Sequence, residues 1–123
     1  MRYRMVMLIA LTSFGLATCS ALGAQGQPAS FQGYVLDSAC AFTKNLKKPI
    51  SSECALACAK AGSPLVVLAD DGTIYWPISD SMPAHGQNDR LRPFAGKRVS
   101  VTGKVYERGG SRAIVITSLD LVK

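Results

Sequence analysis

Histidine is almost missing from this chain. There is one among 123 residues, beside a single tryptophan and four cysteines. One histidine excludes a multi-histidine metal site and most histidine-based triads. Four cysteines are too few for a disulfide-dense mini-protein. With 48% hydrophobic and 18% charged residues, the composition excludes a disordered tail. No serine sits in a nucleophile-elbow context, and no glycine pattern suits a phosphate loop. No internal repeat is visible. The length fits one domain.

What is present begins with an address. Met1-Arg2-Tyr3-Arg4 is a basic head, Met5–Ala17 is apolar, and small residues run from Thr18 to Ala24. This is the three-part pattern of a secretory signal peptide, and the apolar run falls short of the roughly 20 residues a spanning helix needs. Residues 1–24 are therefore expected to be a signal peptide, cut after Gly23 or Ala24. An alternative cut at Cys19 would make a lipoprotein and give the chain its one membrane contact beyond the leader. The protein is expected to be exported, periplasmic or secreted, where thiols tend to pair. Removing residues 1–24 takes Arg2 and Arg4 with it, leaving 12 basic and 8 acidic side chains, net +4. That is ordinary solubility charge. It argues against a nucleic-acid partner, and Lys44, Lys47 and Lys48 read as a solvated cluster.

The mature chain reads as five short strands. Residues 25–30 are polar and are expected to be a flexible lead-in to a single domain over 31–123. Phe31–Asp37, Leu65–Ala69 and Thr73–Ile78 have strand composition. Asp71-Gly72 turns between the last two, and Ile74, Trp76 and Ile78 are expected on the core face. Pro77 ends that strand or places it at an edge. Lys97–Glu107 alternates cleanly, Gly109-Gly110 turns, and Arg112–Leu121 closes the series. Asn88–Arg92 opens a single helical turn in the long 79–96 connection. Closing a five-stranded sheet removes its edges, so a mainly β, OB-like Greek-key barrel is expected, with one inserted α-helix between strands 1 and 2.

That helix, Ser52–Ala61, carries the most informative residues. Serine caps its start; Gly62 and Pro64 stop it. At about 100° per residue, Cys54 and Cys58 fall about 40° apart, near the middle of a small apolar face. The face is expected to pack on the barrel with both sulfurs inward. Residues four apart on a helix have Cβ atoms about 5–6 Å apart, too far for a disulfide. Cys40 is the natural partner for one of them, leaving one thiol over. The cysteines then read as a staple plus a buried, inert thiol. Two other readings use the same atoms. Cys40, Cys54 and Cys58, completed by His85 or Met82, form a soft donor set for copper or zinc. A redox role would use Cys54, near a helix N-terminus, as a low-pKa thiol, although no C-x-x-C is present.

Tyr34, Tyr75 and Tyr106 are candidate binding-surface rings for a small ligand or an envelope protein. Asp37, Asp70 and Asp71 read as strand-end and turn residues. The stretches Gly33–Cys40 (with D-S-x-C), Cys54–Cys58 (C-x3-C) and Gly96–Gly103 (G-K-x-V-x-V-x-G) resemble an uncharacterised family of small exported bacterial OB-like proteins. The resemblance implies the barrel and the leader, and no activity. The reading that results is a non-enzymatic binding or envelope-accessory domain without a cofactor, its cysteines stapling a helix to the barrel.

Overall fold

The computed structural model describes residues 26–44 and 50–123. The expected signal peptide, Cys19, Lys47 and Lys48 lie outside these residues. No helix among the described residues is long and apolar enough to cross a membrane.

Five strands close into a barrel in the order β1-β2-β3-β5-β4. They are β1 (Gln27–Asp37), β2 (Leu65–Ala69), β3 (Ile74–Pro77), β4 (Arg98–Arg108) and β5 (Ser111–Leu121). β1 is shared between two neighbours. Its first part, from Gln27 to Tyr34, pairs with β4, and its last part, from Gly33 to Asp37, pairs with β2. The changeover needs Gly33, because a Cβ there would lie 2.3 Å from the Leu68 carbonyl oxygen. Parallel pairing of β3 with β5 at Trp76–Ala113 and Pro77–Ile114 completes the closure. The architecture is the OB-like barrel expected from the strand order, with helices inserted between the first two strands.

The start of the barrel corrects the sequence reading. Residues 27–30, expected as flexible lead-in, belong to β1 and pair with β4. Their polar composition reflects exposed side chains at the sheet's end, since backbone pairing asks nothing of them.

Two apolar clusters hold the fold. The inner one unites Val35, Val67, Val99, Val101, Ile114 and Leu91, each fully buried. Each such side chain contributes about 1.5–3 kcal/mol on burial. Leu91 comes from the connection after β3, where α3 (Asn88–Leu91) runs into a 3-10 turn over Arg92–Phe94. The outer cluster lies on the other face of β2. It joins Leu36, Val66, Leu68 and Ala41, with Tyr34, Ile74 and Trp76 packed against it. All five residues of β2 are buried because both of its faces are covered.

This second cluster overturns the expected facing of β3. Ile74 and Trp76 pack outside the barrel, and Tyr75 faces inward, stacked on Phe31 with ring centroids 4.3 Å apart. Alternation separates the two faces of a strand correctly, but does not say which is inside when both are apolar.

Two helices cover the barrel where one was expected. α1 (Ser38–Thr43) supplies Ala41 to the outer cluster, and α2 (Ser52–Lys60) supplies Ala59 to the inner one. Ser51 Oγ accepts from the Cys54 N–H at 3.1 Å, and Gly62, at φ +100°, ends α2. Both ends stand as the capping residues predict.

Candidate functional site

The expected facing of α2 is corrected. Ala55 and Ala59 are its buried residues; Cys54 is exposed and Cys58 half-buried. Backbone approach decides this. A Cβ on Gly96, at φ +74°, would sit 2.6 Å from the Ser52 Cα, so α2 enters almost in contact with the chain leading to β4. At that separation methyl groups fit beneath the helix, and the larger sulfur side chains turn to its flank.

There they meet the end of β1. Asp37 caps α1: its Oδ2 accepts from the Ala39 N–H at 3.1 Å and the Cys40 N–H at 3.3 Å. The Ser63 hydroxyl donates to the same oxygen at 3.4 Å. The Cys40 and Cys58 thiols lie near enough to the Asp37 carboxylate to feel its charge. Cys54 interacts with both Cys40 and Cys58. All three are free thiols, none of them fully buried. Asp37 itself is 1% exposed, and its Oδ1 is buried without a hydrogen-bond partner.

The electrostatics follow from this packing. Burial acts to raise the Asp37 carboxyl. Hydrogen bonds from Cys40, Ala39 and Ser63 outweigh it and hold the group below the usual carboxylate range. The Cys40 thiol is pushed up to about 12 by its hydrogen bond to Asp37, then by burial and the carboxylate's charge. Burial, with the charge of Asp37 and the neighbouring Cys54, raises Cys58.

The copper or zinc set is not assembled. No group of three or more His, Cys, Asp or Glu among the described residues is placed to hold a metal ion. Met82 is 82% exposed, and exposed His85 lines a separate hollow with Trp76, Pro77 and Asn88.

The candidate tyrosines do not make a surface platform either. Tyr34 packs on the outer cluster and Tyr75 on the inner one. Tyr106 is half-buried over Gly26.

A different aromatic pair lies at the surface. Phe42, at the end of α1, is 67% exposed, and its ring centroid lies 6.3 Å from that of Trp76. They line a groove of about 680 Å³ together with the β4–β5 turn, Glu107, Arg108 and Arg112. Arg112 is fixed there, its Nε 2.6 Å from Glu107 Oε1 and its Nη1 donating to Thr73 Oγ1 at 3.3 Å.

Sequence reasoning missed Asp37, Phe42 and both arginines. Asp37-Ser38 before Ala39-Cys40-Ala41 carried the signal of a helix start, an acidic cap followed by an alanine-rich turn. Nothing in the sequence brings Phe42 to the β4–β5 turn. Comparison with protein-family models, with curated proteins and with solved structures finds no match to this chain.

Proposed function

We propose that this chain is an exported, non-enzymatic binding module of the cell envelope. Its ligand lies in the groove between Phe42, Trp76 and the β4–β5 turn. The observation that carries this reading is the groove itself, lined by Phe42 and Trp76 together with Arg108 and the Glu107-paired Arg112. Five-stranded barrels of this kind use the face of strands 2 and 3, with the adjoining loops, to hold oligosaccharides and oligonucleotides. Aromatic faces suit the apolar face of a sugar ring, and a guanidinium suits a carboxylate. An acidic sugar is the ligand class that uses both. The basic head and apolar run at residues 1–24 support export. A disulfide from Cys40 to Cys54 or Cys58, formed on export, would fasten α1, and Phe42 with it, beside α2.

Trp76 is the sole tryptophan and lines both the groove and the hollow beside His85, so the Phe42→Ala variant assigns any change in its emission to the groove. Titration with a disaccharide bearing an N-acetylmuramic carboxylate should give a saturable change, and uncharged chitobiose a weaker one. Arg108→Ala and Phe42→Ala should each reduce the response. No change with either sugar, or the same response in both variants, overturns the reading.

A further inference from the structure

A second hollow adjoins the groove. It has a volume of about 540 Å³, and Pro64 and Pro77 meet His85 and Gln87 in its wall. The groove opens at the Ile74 end of β3 and this hollow at the Pro77 end. Trp76 is the one residue that lines both. Each hollow falls in the range of roughly 300–1,000 Å³ that holds a small ligand by itself.

The two differ in charge. Arg108 and Arg112 line the groove, and Arg108 has no acidic partner among the described residues. Among the described residues no lysine or arginine lines the second hollow. Its one carboxylate, Asp89, is paired with Arg92 at 3.3 Å. A ligand carboxylate is therefore drawn to the groove alone. The second hollow offers neutral hydrogen bonding instead. Gln87 Nε2 donates to the His85 carbonyl oxygen at 3.0 Å, which leaves Gln87 Oε1 as an acceptor. His85 is exposed beside it and brings a ring N–H. The wall behind them is fixed. Asn88 Oδ1 accepts from the Leu65 N–H at 2.8 Å, and Asn88 Nδ2 donates to the Ser63 carbonyl oxygen at 2.9 Å. A wall held in place beforehand lowers the ordering cost of binding.

We propose that the ligand is an oligosaccharide longer than a disaccharide, lying along β3 across Trp76. A carboxylate-bearing sugar occupies the groove beside Arg108, and a neutral N-acetylated sugar occupies the hollow beside His85. The proposal rests on the reading of the groove as an acidic-sugar site and adds the ligand's length and its second contact. The four residues of β3 span about 13 Å, beyond what two sugar rings cover. An acetamido N–H suits Gln87 Oε1, and its carbonyl suits the His85 ring N–H. Trp76 and Pro77 give the sugar faces apolar surface. A continuous chain makes the second contact intramolecular, so the two hollows reinforce each other.

Calorimetric titration compares two sugars. One is the N-acetylglucosamine–N-acetylmuramic acid disaccharide, and the other is the tetrasaccharide of two such repeats. The tetrasaccharide should bind one to one and at least about tenfold more tightly. The double variant His85→Ala, Gln87→Ala should bring the tetrasaccharide down to the disaccharide's affinity. Arg108→Ala should weaken both sugars. Equal affinities in the unmutated protein would overturn the proposal and leave the groove reading standing; this comparison needs no variant to fold. Absence of binding by either sugar would overturn both. A tetrasaccharide advantage that survives the double variant would overturn the placement beside His85.

Discussion

Asp37 and Cys40 meet at the start of α1: the carboxylate caps the Cys40 backbone N–H at 3.3 Å, and its charge acts on the Cys40 thiol. One side chain thereby ends β1 and starts α1. Removing it should cost more than an exposed cap. Asp37→Ala leaves several donors without an acceptor, and a loss of about 2 kcal/mol or more is expected in urea unfolding. Asp37→Asn, which keeps the cap acceptor, should cost less.

The same pair makes stability depend on pH at both extremes. Asp37 has a lowered folded-state pKa, so its contribution is present above its unfolded value of 3.8 and is lost as pH falls through the folded value. Cys40 is raised from 9.0 to about 12, so its contribution is present below 9.0 and is lost as pH rises toward 12. Denaturation midpoints should therefore fall in acid below about 4 and again above about 9. Asp37→Asn should flatten the acid limb. Cys40→Ser should flatten the alkaline one, and unchanged limbs in these variants would count against the assignment.

Gly96 controls how closely α2 approaches. Gly96→Ala combines a positive φ with a Cβ 2.6 Å from Ser52. It should destabilise by more than about 1 kcal/mol and should loosen α2, seen as faster amide exchange at Ala55 and Ala59. Wild-type exchange there would show that the close approach is not what seats the helix.

Leu91 is completely buried in the inner cluster, although its α3 helix is only four residues long. Leu91→Ala should cost about 2–5 kcal/mol, with the cost set by how far the barrel end collapses. Phe42→Ala makes the contrast. Phe42 is two-thirds exposed, so its loss should shift stability by less than about 1 kcal/mol while removing one wall of the groove. A large loss of stability there would place Phe42 in the core instead.

Local chemistry carried much of this protein in its sequence. Apolar runs, strand-forming composition and alternation set four of the five strands within a residue or two. Asp71-Gly72 and Gly109-Gly110 set two turns, and Ser51, Gly62 and Pro64 set the ends of α2, because backbone conformations and caps depend on neighbours in the chain. The proximity of Cys40 to the α2 cysteines was legible too, since a short connection leaves it little choice. What the chain did not disclose was decided by distance. Which face of β3 points inward depends on α1 covering the outside of the barrel, and an apolar pattern is the same on either side of a wall. Which face of α2 packs depends on Gly96, some 40 residues away, admitting methyl groups and turning sulfur to the flank. The meeting of Asp37 with Cys40 and Cys58, and of Phe42 with the β4–β5 turn, exists only once the barrel has closed.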